Sequence, residues 1–266
     1  MIDIIHKLLK SERTKEAKLN ALREFLQVLI LRIIYDKGYF KNLSFVGGTA
    51  LRLLHDLKRF SEDLDFSLIE KTGYSFKKLT GDISAELINY GLQADIMAQD
   101  SKTVQNIDIR FKSILYRLHL SPLKSQRIFI RCEIDSNPPE GWVTQVSLIN
   151  RVYIFTVTHF DLPSLYALKL HACFYRKYTK GRHFYDLIWY LGKKITPNYL
   201  LLNNAIRQTE KDDSRITVGE NNYRHFLHQK IAQIDFQKVK RDVERFLEDK
   251  SELRLFDKTT ILSLVE

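Results

Sequence analysis

The stretch FVGGTALRLLHDLKRFSEDLDFSL, residues 45–68, decides the reading of this chain. LSFV, 43–46, has the length and composition of a short strand, and Gly47 and Gly48 then open a segment, Thr49 to His55, that reads as a helix. LDFSL, 64–68, reads as a second strand. Side chains two apart on a strand share a face, so Asp63, Asp65 and Ser67 project together while Leu64, Phe66 and Leu68 turn to the core. Two carboxylates at close approach repel, and a divalent cation relieves them. Oxygen ligands on a rigid strand suit Mg²⁺, which takes one or two carboxylates together with substrate phosphate oxygens. An isolated D-x-D is more often a solvated acidic face, but the Gly-Gly-Thr turn before it changes the balance. Free N–H groups where a strand meets a helix, beside the Thr49 hydroxyl, suit an anionic phosphate, and glycine lets it approach the backbone. A phosphate cradle followed by carboxylates on the next strand reads as a nucleotide site.

The chain has 266 residues, of which 44% are hydrophobic and 28% charged, the balance of a folded protein and not of a disordered one. Lys and Arg number 42 against 32 Asp and Glu, a formal +10 that fits a polyanionic partner such as RNA and equally fits solvated lysine faces. Cys132 and Cys173 lie far apart in apolar segments without paired ligand spacing, as reduced core thiols do. No run of about 18 apolar residues suggests a membrane span, and the expectation is a cytoplasmic protein.

Residues 13–37 predict an amphipathic helix through Leu22, Phe25, Leu29 and Ile33, stopped by Gly38. A helix at about 75–90 is closed by Gly91. The β-rich runs LQADIM, QNIDIRFKSILYRLHL, QRIFIRCEID and RVYIFTV then predict an open mixed sheet. From Asp161 onward the pattern turns helical, in DLPSLYALKLHACFYRKY, RHFYDLIWYLGK, NYLLLNNAIRQ and FQKVKRDVERFLED, with Phe236, Val239, Val243 and Phe246 on one stripe of the last. The polar stretch 207–222 reads as a mobile connection.

In QRIFIRCEID the apolar series Ile128, Ile130, Cys132 and Ile134 leaves Arg131, Glu133 and Asp135 on the other face. A two-metal phosphoryl site wants a third carboxylate, and Glu133 is the first choice with Asp135 the alternative. Leu165, Lys169, Ala172 and Arg176 recur at helical spacing, so two basic side chains interrupt an apolar stripe. They need an anionic partner or a route to water, and a triphosphate is one such partner. Arg182 and Asp186, at i and i+4, form either a surface ion pair or, with Asp186 near Lys169, a group that orients the ammonium.

These residues resemble a known family. VGGTALRLLHDLKRFSEDLDFSL, FIRCEID and LYALKLHACFYRKYTKGRHFYDL are similar to the AbiEii-type nucleotidyltransferase toxins of abortive-infection and toxin–antitoxin systems, over about residues 40–192. The resemblance implies an α+β chain: a DNA polymerase β-like nucleotidyltransferase domain with a mixed sheet, placed at 1–158, and an α-helical C-terminal domain at 159–266. It also implies Mg²⁺-dependent transfer of NMP from an NTP, in some members to the 3′ end of tRNA, and a cognate antitoxin. By that match Gly48 and Thr49 are the phosphate motif with Gly47 beside them, Asp63 and Asp65 the metal pair, Lys169 and Arg176 the K-x-x-A-x-x-x-R element, and Arg182 and Asp186 the final R-D-x-x-D-L element, while the match leaves Glu133 against Asp135 open as third ligand. His183 departs from it, standing where the family often has Asp. The alternatives are a nucleotidyltransferase acting on a protein or small molecule, and a non-catalytic nucleotide- or RNA-binding module.

Overall fold

The structure is a computed structural model and describes residues 1–100, 102–176, 180–210 and 217–265. The elements, in chain order, are α1 (Ile2–Leu9), α2 (Lys15–Asp36), β1 (Leu43–Val46), α3 (Gly47–His55), β2 (Asp63–Leu68), α4 (Phe76–Asn89), β3 (Ala94–Gln99), β4 (Val104–Phe111), α5 (Ile114–Arg117), β5 (Ile128–Asp135), β6 (Thr144–Asn150) and β7 (Ile154–Phe160). Then come α6 (Leu162–Phe174), α7 (Gly181–Gly192), α8 (Tyr199–Thr209), α9 (Tyr223–Ala232), α10 (Phe236–Val243) and α11 (Lys258–Ser263). The chain divides into two compact units: residues 1–54, 61–138 and 146–159 form the first, and 55–60, 139–145 and 160–266 the second. Two short segments that precede residue 159 therefore belong with the helical unit.

The strands form a seven-stranded mixed sheet in the order β3-β4-β5-β2-β1-β7-β6. β1 and β2 are antiparallel, β2 and β5 parallel, and β4 runs antiparallel to both β3 and β5. β5 alternates strictly between buried and half-buried positions, with Ile128, Ile130, Cys132 and Ile134 inside. Ile107, Ile109 and Phe111 of β4 and Leu64 and Phe66 of β2 join them in one core with Leu26, Leu29, Ile30 and Ile33 of α2 and Leu79 and Ile83 of α4. One sheet face is thus closed by helices, and the polar residues of β2, β4 and β5 are consigned to the other. Thr14 caps α2 by accepting from the Ala17 amide, and Gly38, at φ 74°, turns the chain out of it.

In the second unit α6 packs on α7 and α8, and α7 packs on α10. Asp161 caps α6 through the Ser164 amide, and Asn198 caps α8 through that of Leu201. Tyr166 and Tyr190 stack with ring centroids 4.2 Å apart, and the Tyr223 hydroxyl donates to that of Tyr166 at 2.6 Å.

Several expectations need correction. The β-rich run 105–120 leaves the sheet at Phe111, because Ser113 at φ 54° breaks the extended chain and 114–117 turn helical. α6 ends at Phe174, so Arg176 lies beyond the helix and not on a stripe with Lys169. The last amphipathic run is helical only to Val243 and continues as a tight 3₁₀ turn, Glu244–Phe246. β6, α1, α9 and α11 were not foreseen from the sequence pattern. Of the polar stretch 207–222, residues 211–216 lie outside the described residues, while 207–209 complete α8. Residues 177–179 of the basic run RKYTKGR also lie outside them. Among the described residues no helix is long and apolar enough to cross a membrane.

The α7–α10 packing has a sharp steric requirement. A Cβ at Gly181 would run into the Val239 carbonyl oxygen and lie 3.0 Å from Asp242 Cβ and 3.1 Å from the Val243 nitrogen, and the Gly181 amide donates to the Asp242 carboxylate. Backbone atoms cannot give way as a side chain can, so Gly181→Ala is expected to destabilise the protein by about 1–3 kcal/mol, the usual range for overpacking. Denaturant titration checks this, and an unchanged midpoint would refute the requirement.

Candidate active site

Gly47 is the left-handed member of the paired glycines. It sits at φ 78°, a left-handed conformation that leads β1 directly into α3, and a Cβ there would fall on the Asp65 carboxylate, with Asp65 Cγ 2.7 Å and Cβ 2.8 Å away. The turn and the second aspartate of the D-x-D are therefore packed against one another, as the β1–β2 register, Val46 opposite Asp65, requires. Thr49 is fully buried and its hydroxyl donates to the Asp63 carbonyl, which ties the first turn of α3 to the start of β2. The hydroxyl hydrogen is thus committed to the strand, while the helix's first N–H groups have no partners within the helix.

On β2, Asp63 and Asp65 are half-buried on the face opposite Leu64 and Phe66. The parallel register sets Asp65 opposite Glu133 and Asp63 opposite Arg131, whereas Asp135 is opposite Ser67. Neighbours in register share a face, so Glu133 is the β5 carboxylate beside the aspartate pair, and Asp135 is one step removed. The next strand adds Asp108, which registers with Arg131.

Arg131 is the resident cation of this acidic face. Its Nε donates to Asp108 Oδ1 at 2.7 Å and its Nη2 to Oδ2 at 3.2 Å, and Nη1 lies 3.9 Å from Glu133 Oε1. The Asp108 hydrogen bonds raise its pKa above the ordinary guanidinium value, with smaller contributions from Glu133 and Asp63. The negative field also reaches the other side of the sheet. The Cys132 thiol is pushed up by burial first and then by Asp63, Asp65, Asp108 and Glu133, which makes it an inert core thiol. Among the described residues, no three or more His, Cys, Asp or Glu side chains are drawn into a closed metal cage. Two hard-oxygen carboxylates on one strand face still match Mg²⁺, which fills the rest of its shell with water and substrate phosphate.

The second unit contains a buried ionic cluster. Arg59, from the segment 55–60, donates from Nε to Asp186 Oδ1 at 2.6 Å and from Nη2 to Oδ2 at 2.7 Å, and Lys169 Nζ lies 2.7 Å from the same Oδ2. Asp186 is fully buried, Arg59 1% and Lys169 7% exposed. Burial alone would raise the Asp186 pKa, but Arg59 and then Lys169 outweigh it and hold the carboxyl below the usual range. His183 is 3.4 Å from Lys169 through Nδ1, and among the described residues its Nε2 has no hydrogen-bond partner. Burial, then Lys169 and the surrounding arginines, press its pKa well below the ordinary value, so the imidazole is neutral.

The remaining basic candidates differ in setting. Arg182 is half-buried with its guanidinium 4.9 Å from the centre of the Phe246 ring. Arg176 is exposed, and with burial as the larger cause it helps to lower His171 to about 4. Asp63, Asp65, Glu133 and the Gly47–Thr49 turn belong to the first unit, while Lys169, Arg176, Arg182 and Asp186 belong to the second. Sequence reasoning missed Arg59, Asp108 and the part played by Arg131. Arg59 stood in the sequence as the first residue of the R-x-S-E-D-L-D-F pattern within the family resemblance, with no role assigned to it.

The α+β architecture is shared with solved structures. The crystal structure of JHP933 from Helicobacter pylori superposes with a TM-score of 0.52 at 22% identity, covering 91% of each chain. A second H. pylori structure, solved as a candidate nucleotidyltransferase, gives 0.49 at 20% identity over 91% of this chain and 93% of its own. No curated protein matches the chain at a significant level. The fold class is that of a nucleotidyltransferase. The sequence profile of the family described as nucleotidyl transferase AbiEii toxin, type IV TA system, matches residues 29–259, and the chain belongs to that family. It is accordingly a nucleotidyltransferase toxin, of a class paired with an antitoxin.

Gly47→Ala combines a left-handed φ with a displaced Asp65. The backbone term alone is about 1–2 kcal/mol, which a domain of this size tolerates. We expect a folded protein with a modestly lowered melting temperature and transfer activity reduced far beyond that shift. Wild-type turnover in a folded Gly47→Ala variant would show that the Asp65 position against the turn is immaterial.

Proposed function

We propose that the protein transfers a nucleotide from an NTP, with Mg²⁺, to the 3′ end of tRNA and so blocks translation. The observation that carries this reading is the placement of Asp63, Asp65 and Glu133 on one sheet face, with Asp65 packed against the strand-to-helix turn at Gly47. In this proposal Asp63 and Asp65 hold the ion, Glu133 borders it, and the Gly47 and Gly48 amides take the phosphate end of the nucleotide. Thr49 acts through the turn that it fixes to β2. Mg²⁺ at such a site supplies charge neutralisation for the triphosphate.

The acceptor hydroxyl oxygen bonds to the α-phosphorus, the bond to the β-phosphate oxygen breaks, and pyrophosphate leaves. A Glu133 carboxylate oxygen takes the hydroxyl proton. Arg131, held by Asp108, keeps Glu133 from facing the acidic pair without a counter-charge. In the second unit Lys169 offers its ammonium to a substrate phosphate oxygen. Asp186 fixes that ammonium, and Arg176 and Arg182 add positive charge to the same unit.

The excess of 42 basic over 32 acidic residues supports a polyanionic acceptor. RNA affinity is then expected to fall linearly in log salt with a slope of about −0.7 to −0.9 per phosphate contact, more steeply than NTP affinity. The direct test supplies each labelled NTP with Mg²⁺ to purified tRNA, to oligonucleotides and to protein extract in separate reactions. Label on tRNA that disappears when Mg²⁺ is chelated supports the proposal. Label confined to protein or small molecules would move the acceptor to another class, and NTP binding without transfer would favour a binding module. Asp65→Asn is expected to abolish transfer while leaving the fold intact, because it removes a repulsive charge from the metal-free face. Activity near wild type in that variant would remove Asp65 from the metal pair.

A further inference from the structure

The ionic cluster of the second unit has an uneven composition. Two cations, Arg59 and Lys169, share one carboxylate, Asp186, and the adjoining imidazole of His183 is neutral. Within contact distance the cluster carries a surplus of one positive charge in surroundings almost closed to water. The two cations are not equivalent. Arg59 matches both carboxylate oxygens with its planar fork and also donates to the Phe60 carbonyl at 3.0 Å. Its backbone is pinned as well: Arg59 bridges to Leu247, and the Phe60 amide donates to the Phe246 carbonyl at 2.8 Å. Lys169 touches a single oxygen, and its three-donor ammonium stands at the less enclosed end.

We propose that Arg59 is a positioning residue for Lys169: by engaging both oxygens of Asp186, it prevents that carboxylate from quenching the ammonium and leaves Lys169 charged toward an anionic ligand. Without Arg59, Asp186 and Lys169 would form a neutral buried pair with little attraction for a phosphate. With Arg59, Asp186 is shared. Lys169 is held in place by Asp186 Oδ2 and the neutral His183 Nδ1 while its net charge stays available. Arg59 is too buried to meet the ligand itself, so its effect passes through Asp186. This inference rests on the reading of Lys169 as a phosphate-binding residue.

The experiment measures binding of inorganic tripolyphosphate to the full chain by calorimetry. Lys169→Ala is expected to weaken binding by about tenfold to a hundredfold, the range for one hydrogen bond to a charged group. Arg59→Met is expected to lose a similar amount despite leaving Lys169 intact. The double variant Arg59→Met with Asp186→Asn removes the quenching carboxylate too, and is expected to recover most of that affinity. A purely structural role for the pair would leave the double variant no better than the single one. If Arg59→Met does not fold, Arg59→Lys carries the test, since it keeps the charge but not the fork and is expected to bind more weakly than wild type. Wild-type affinity in Arg59→Met or Arg59→Lys, or no recovery in the double variant, overturns the proposal while a weakened Lys169→Ala leaves the Lys169 reading standing. Unchanged binding in Lys169→Ala overturns that reading and this inference with it.

Discussion

The first unit is organised around the space that a glycine leaves empty. At Gly47 the chain must pass from β1 into α3 through a left-handed φ, and the volume in which any other residue would carry its Cβ is occupied by the Asp65 carboxylate. That single close approach explains why glycine stands at the strand-to-helix junction against Asp65. The two features are one construction. The Thr49 hydroxyl, donating to the Asp63 carbonyl, fastens the same turn to the same strand from inside the core. The amides at the helix start and the carboxylates of β2 are thereby held in a fixed relation without any ligand, as preorganised sites require.

A face that concentrates Asp63, Asp65, Asp108 and Glu133 must be reconciled with its own repulsion. Arg131 does this by pairing with Asp108 and lying near Glu133. The arrangement follows from strand register. β5 lies between β2 and β4, so its outward residues meet β2 carboxylates on one side and Asp108 on the other. Replacing Arg131 by a neutral residue would take from Asp108 the cation that stands directly opposite it on β5.

What the sequence made legible was whatever depends on local pattern. The alternation of β5, the helix at 15–36, the junction at Gly47 and the shared face of Asp63 and Asp65 all follow from periodicity and from glycine, and all are present. Strand neighbours do not follow from periodicity. The choice between Glu133 and Asp135 beside the aspartates needed the β2–β5 register, and the counter-ion role of Arg131 needed β4 on the other side. β6 escaped notice because Val146 and Leu148 are exposed rather than alternating into a core. The helix pattern after Asp161 was right in kind but overran, since basic and aromatic residues past Phe174 continue the composition of a helix without continuing its hydrogen bonds. Arg59 was the least legible of all. Its partner is 127 residues away in sequence, and nothing local distinguishes an arginine bound for the interior from one bound for solvent.

The carboxylates of the two units show how environment assigns different tasks to one side chain. Asp186 is fully buried, and two cations outweigh the cost of burial, so it is a permanent anion whose charge is already spoken for. Such a group can orient its neighbours but has no charge to offer a metal. Asp63 and Asp65 are half-exposed on a strand face shared with other acids, where the local balance is negative. A positive ligand relieves that imbalance, and an anion relieves the opposite surplus around Lys169. The first unit therefore suits a cation and the second an anion, each by its own balance of charge.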